Sequence, residues 1–139
     1  MKVTEINNLL KGKGLKITKV RKGLLSEISK SPKALDIGQI QKKLSKKNIT
    51  PNLSTIYRET QTLEKNNIIA SCEIFGKKEY RVKVKGEVAH CLSCNKITPL
   101  SPSTTKKIKN LDLQLNDARS FSIFQENSHL HGLCNKCSS

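Results

Sequence analysis

A chain of 139 residues with 35% hydrophobic and 4% aromatic content, and no tryptophan, has material for one domain or two small ones around a thin core. Its formal net charge of +15 is unevenly placed: residues 1–85 hold 20 Lys/Arg against 7 Asp/Glu, and residues 86–139 hold 6 against 4. No apolar run is long enough to span a bilayer, and M-K-V-T-E-I-N-N-L-L lacks the apolar core and cleavage site of a signal peptide, so a cytoplasmic, non-membrane protein is expected.

The basic half reads as short helices. A first helix closes at L-L-K-G-K-G-L-K, where Gly12 and Gly14 are stop signals. Thr18 is placed to cap a second, which carries Val20, Leu24, Leu25 and Ile28 at helical spacing and ends at Ser31-Pro32. Asp36 is placed to cap a third, with Ile37, Ile40 and Leu44 on one face. None of these is long enough to be stable alone, so they must share a core.

The fourth helix, N-L-S-T-I-Y-R-E-T-Q-T-L-E-K-N-N, carries the most information. Asn52 is its expected N-cap, and at 100° per residue Leu53, Ile56, Thr60 and Leu63 fall within one inward arc of about 80°. Ser54, Tyr57, Arg58, Gln61, Thr62 and Lys65 gather on the other side, with Glu59 and Glu64 on the flanks. Such a face suits the major groove: Arg58 and Gln61 can read base edges, Ser54 and Thr55 can hold phosphates, and Tyr57 can meet a thymine methyl. An ordinary solvated helix face is the plain alternative. The next residues, N-I-I-A-S-C-E-I and K-E-Y-R-V-K-V, alternate like paired strands joined across F-G-K-K, with Gly76 in the turn. Short helices followed by a basic hairpin predict a winged helix-turn-helix over residues 1–84, with Lys77 and Lys78 at the wing tip within reach of phosphate.

Beyond it, residues 85–139 read as a small α/β domain. I-T-P-L is an expected strand, S-T-T-K-K-I-K-N-L a helix, and S-F-S-I-F-Q and S-H-L-H-G-L-C further strands. Low charge and apolar strands fit a subunit interface better than a nucleic-acid surface. Four of the five cysteines form two C-x-x-C pairs, Cys91/Cys94 and Cys134/Cys137, with 39 residues between them. Two such turns supply four thiolates, the tetrahedral set of a structural zinc, and leave no open position for catalysis. A disulfide framework suits a secreted chain, and a thioredoxin-type redox pair needs no second pair.

The assembled pattern resembles the ferric uptake regulator family of metal- and peroxide-responsive repressors. The likeness runs over roughly residues 9–137 and rests on G-L-K-I-T-K-V-R-K-G-L-L, L-S-T-I-Y-R-E-T-Q-T-L-E, the strand ending in K-E-Y-R, C-L-S-C-N-K and H-G-L-C-N-K-C. It implies a homodimer on a palindromic, AT-rich DNA operator, no enzymatic activity, and a C-terminal domain that dimerises and holds the zinc. It further implies that Tyr57 contacts thymine, Arg58 a phosphate or base, Lys16 the minor groove and Arg21 the DNA backbone. The sequence departs from the family where sensing would occur. The segment before the first pair, K-G-E-V-A-H-C, offers only Glu87 and His90. Arg81 and Pro99 stand where acidic ligands are expected, and the region of the third helix reads P-K-A-L-D. A second, regulatory metal would have to use Cys72, His90 and one of Glu126, His129 or His131, of which Cys72 reads more readily as a buried thiol and the histidines as strand-surface side chains. A zinc-stapled RNA-binding or ribosome-associated module is the alternative function.

Overall fold

The computed structural model describes residues 1–84, 86–119 and 129–138. Two compact units divide the chain, Met1–Lys83 and Val84–Ser139.

The first unit opens with helices α1 (Val3–Gly12), α2 (Lys19–Lys30) and α3 (Ile37–Ser45), with the two-residue strand β1 (Leu35–Asp36) before α3. Local chemistry sets the start of each later helix. The Thr18 side chain accepts a hydrogen bond from the Arg21 amide, and Asp36 and Gln39 exchange side-chain-to-backbone bonds in a capping box. Helix α4 (Leu53–Lys65) starts at Asn52, whose side-chain oxygen accepts the Thr55 amide at 2.8 Å. Strands β2 (Ile69–Ile74) and β3 (Lys77–Val82) form an antiparallel hairpin, and β1 joins its far side to give the order β1-β3-β2. Leu10, Leu24, Leu25, Ile40, Leu44, Ile56 and Leu63 are fully buried at the centre, and Tyr80 from β3 packs with them. The helices sit close: a methyl added at Gly23 would stand 2.8 Å from Ile49 Cδ1 and 3.0 Å from Leu44 Cδ2. Helices α2, α3 and α4 followed by a wing make a winged helix-turn-helix, and α4 holds the place of the recognition helix.

One part of the inward arc of α4 is corrected. Ile56, Thr60 and Leu63 are buried, but Leu53 is 48% exposed. It lies in the first turn, where helical phase alone does not guarantee a neighbouring element to pack against. Thr60 is tolerated inside because its hydroxyl donates to the Tyr57 carbonyl at 2.8 Å.

The hairpin turn is also tighter than the sequence suggests. Ile74 pairs with Lys77, so the connection is only Phe75-Gly76, and Lys77 and Lys78 lie in the strand and not at the tip. Both loop residues have positive φ, 49° for Phe75 and 74° for Gly76, the combination a type I′ turn requires. Glycine takes it freely, whereas an L side chain gives up roughly 1–2 kcal/mol.

In the second unit, β4 (Val88–Cys91) is the middle strand of a sheet of order β5-β4-β6, antiparallel to β5 (Ile97–Pro99) and parallel to β6 (His129–Gly132). Strand β4 goes beyond the expected elements, because V-A-H-C is only four residues long and runs straight into the first cysteine turn. Helix α5 (Pro102–Arg119) runs well beyond the nine residues expected. The strand expected over S-F-S-I-F-Q lies outside the described residues. Among the described residues, no helix is long and apolar enough to cross a membrane.

The contrast within α4 is measurable by urea denaturation. Leu63→Ala should cost about 2–5 kcal/mol, as a buried leucine deletion does, and Leu53→Ala less than about 0.5 kcal/mol.

Candidate nucleic-acid interface and metal centre

Ser54, Tyr57, Arg58, Gln61 and Lys65 are exposed along one side of α4, with Thr55 and Thr62 half-buried at its margins. Tyr57, half in solvent at 51%, is a large aromatic on a helix that buries Ile56, Thr60 and Leu63 on its opposite side. Lys16, in the stretch before α2, is exposed as well.

The two glutamates on the flanks of this helix are tied down by the fold. Glu59 accepts the Arg21 Nε–H at 2.6 Å, and the two side chains are only 13% and 11% exposed. A second guanidinium nitrogen of Arg21 donates to the Lys16 carbonyl at 2.7 Å. Arg21, which the family resemblance puts at the DNA backbone, uses two of its guanidinium nitrogens to fix α4 to α2 and to hold the Lys16 backbone in place. Glu64 accepts the Ser71 hydroxyl from β2 and, at 3.1 Å, the Lys78 ammonium from β3. Lys78 also lies 5.4 Å over the centre of the Tyr80 ring. Lys78 is thereby a strut between wing and helix, while Lys77 beside it is exposed. Both carboxylates would repel phosphate if left bare, and each meets a cation instead. No periodicity rule forecasts either pairing, since both join residues from different elements.

The second unit brings its cysteines together through the sheet. Strands β4 and β6 run parallel, with Cys91 opposite Gly132, so the turns that follow them emerge at the same edge. The Leu92 amide donates to the Gly132 carbonyl at 2.9 Å and extends that register. Asn95 closes the first turn at φ 58°, its amide donating to the Cys91 carbonyl at 2.8 Å, as a left-handed asparagine is suited to do. In the second turn the Cys134 carbonyl accepts from the amides of Cys137 and Ser138. The result places the sulfurs of Cys91, Cys94, Cys134 and Cys137 within 4.8 Å of one another.

This donor set fits a tetrahedral ion. Four sulfurs about 2.3 Å from a zinc stand about 3.8 Å apart along each tetrahedral edge. The Sγ atoms of Cys94 and Cys134 are separated by 3.8 Å. The Cys134 amide donates to Cys91 Sγ at 3.3 Å. Backbone N–H groups of Cys94 and Cys134 hold the Cys91 thiol down to about 6, favouring the thiolate that a metal requires. None of the five cysteines is in a disulfide.

The candidates for a second metal are divided. Cys72 belongs to the first unit, buried opposite Glu79 on β3, and burial first and the Glu79 charge second push its thiol up. His90 and His131 belong to the second unit, on paired positions of β4 and β6, with ring centres 5.9 Å apart. His90 is 1% exposed, whereas His131 is open to solvent. Among the described residues, the four cysteines are the one group of three or more candidate ligands drawn to a common point. Glu126 lies outside the described residues.

A winged-helix unit joined to a second unit built around four gathered thiols defines a class of two-part DNA-binding regulators. The model of the "Ferric uptake regulator family" matches residues 12–116, and the chain belongs to that family. It is a family of transcription regulators and not of enzymes, and the alternative of an RNA-binding or ribosome-associated module finds no support in it. The "Ferric uptake regulation protein" of Staphylococcus epidermidis is 26% identical over 140 residues, spanning 99% of this chain and 96% of that protein. Among solved structures, the Helicobacter pylori ferric uptake regulator is 22% identical, covers 100% of this chain and 95% of its own, and superposes with a TM-score of 0.68. A zinc uptake regulator solved with zinc and DNA gives 0.72 at 14% identity, with 98% and 92% of the two chains covered. At such identities the structural likeness speaks for the fold.

A double-mutant cycle on Arg21→Ala and Glu59→Gln tests the strut under α4. Each single change should destabilise the first unit by about 1–3 kcal/mol, and the pair should be coupled by about 1 kcal/mol or more. Strictly additive losses would show the ion pair to be a bystander.

Proposed function

We propose that the chain is a homodimeric, sequence-specific transcriptional repressor that acts in the cytoplasm by occluding a palindromic, AT-rich operator. The observation that carries this reading is the outer face of α4. Tyr57, Arg58 and Gln61 stand exposed on a capped, well-packed helix, inside a half-chain whose net charge is +13, and both nearby glutamates are paired internally. Ser54, Thr55, Lys16 and Lys77 supply phosphate and groove contacts around it, and the lysine-rich surface supplies most of the salt-sensitive affinity. Arg21 acts from behind, by orienting α4 and Lys16. Residues 1–84 are the DNA-binding domain and residues 85–139 the dimerisation domain.

The same reading gives the second domain one structural zinc on Cys91, Cys94, Cys134 and Cys137. Four thiolates close the coordination sphere, so the ion holds two turns together and has no site for substrate. Relatives in the family are solved with metals, a manganese uptake regulator with zinc among them. Titrating iron, manganese and zinc into the zinc-loaded protein decides whether His90, His131 or Cys72 serves a second ion. A change in operator affinity makes the protein a metal sensor, and constant affinity makes it a metal-independent repressor.

Two substitutions divide recognition from attraction. An operator selected from random duplex DNA and a scrambled duplex of equal length serve as probes. Tyr57→Ala should lower the preference for the operator about tenfold, while Lys77→Ala should weaken both duplexes alike and flatten the salt dependence by about one ion. Identical behaviour of the two variants would refute the division.

A further inference from the structure

We infer that Phe75, at the tip of the wing, is an apolar wedge that docks against the minor-groove side of duplex DNA beside the groove read by α4. The inference rests on the DNA-binding reading above and adds to it a contact that charge and helix phase do not reveal.

Phe75 is 86% exposed, and it occupies the first of two positive-φ positions, at φ 49°. Two costs therefore fall on one residue. An aromatic ring is left in water, and a bulky side chain is held in backbone space that asparagine or glycine takes more readily. Nothing in the first unit recovers either cost, because the ring packs against no part of the core. Backbone strain concentrated at an exposed loop is a mark of function more than of stability.

The position of the ring identifies its occupant. The wing is fastened to α4 through Glu64, which holds Ser71 on β2 and Lys78 on β3. From Ser71 to Phe75 the strand advances roughly 13 Å at about 3.3 Å per residue. The major groove is about 12 Å wide, so a hairpin of this reach, anchored to the groove-reading helix, is long enough to meet the neighbouring backbone and minor groove. Lys77, the first residue of β3, is exposed and brings one positive charge beside the turn. Proteins that bind the minor groove combine these two elements, cations for the phosphates and an apolar side chain against sugars and base steps. A protein partner would match the ring alone. The large excess of cations over the half-chain that carries it favours DNA.

The test compares Phe75→Asn and Phe75→Tyr with the wild-type protein on an inverted-repeat duplex selected by the wild type from random DNA. Asparagine suits the turn, so Phe75→Asn should raise the unfolding midpoint by about 2–5 °C. It should also weaken binding about 5- to 20-fold at every salt concentration, without changing the salt slope, since no charge is removed. Phe75→Tyr keeps the ring and should stay within about twofold of wild type. Greater stability with unchanged affinity would overturn the inference and leave the DNA-binding reading intact. So would a change in self-association, by sedimentation, with affinity unaltered, which would make the tip a protein contact. A wild-type protein that selects no duplex sequence would overturn both.

Discussion

Four sulfurs within 4.8 Å of one another, in two pairs with 39 residues between them, are the constraint on which the second unit is organised. Parallel pairing of β4 with β6 brings the turns to one edge, and the turn hydrogen bonds aim all four thiols inward. Thiolates at this separation repel one another strongly in the absence of a cation, yet backbone N–H groups already draw Cys91 toward its thiolate. The geometry fits a divalent ion with a preference for sulfur. Where β4 and β6 place their histidines follows from this frame: His90 and His131 are neighbours because Cys91 and Cys134 are.

The first unit is held by a different logic. It has an ordinary hydrophobic core, and its difficulty is electrostatic, since net charge of one sign opposes compaction. Two of its acids bring elements together. Glu59 ties α4 to α2 through Arg21, and Glu64 ties α4 to the wing through Ser71 and Lys78. The outer surface of α4 is thereby left with polar, aromatic and cationic side chains, and the helix is braced on both flanks. A polyanion approaching that surface meets little that repels it, on a support that does not shift.

Much of this was legible in the sequence, for physical reasons that can be named. Caps at Thr18, Asp36 and Asn52 are local signals, and they mark helix starts that the structure keeps. The cysteine pairs and Asn95 are local as well, and they appear as turns facing one point. What stayed hidden was set by distant contacts. Leu53 has the right phase for burial and nothing to bury it. V-A-H-C becomes a central strand only because β5 and β6 flank it. Arg21 looks like a free cation until Glu59, 38 residues later, is folded against it. The site was readable as to which helix and which thiols, but not as to which charges remain available to a partner.

The second unit depends most directly on the metal content of the protein. Zinc per chain should be measured on the purified protein, and hydrogen exchange followed before and after chelation. The expected result is one zinc per chain, with chelation abolishing protection across β4 to β6 while α1 to α4 and the wing keep theirs. Zinc-free protein with the same protection and the same melting curve would contradict it.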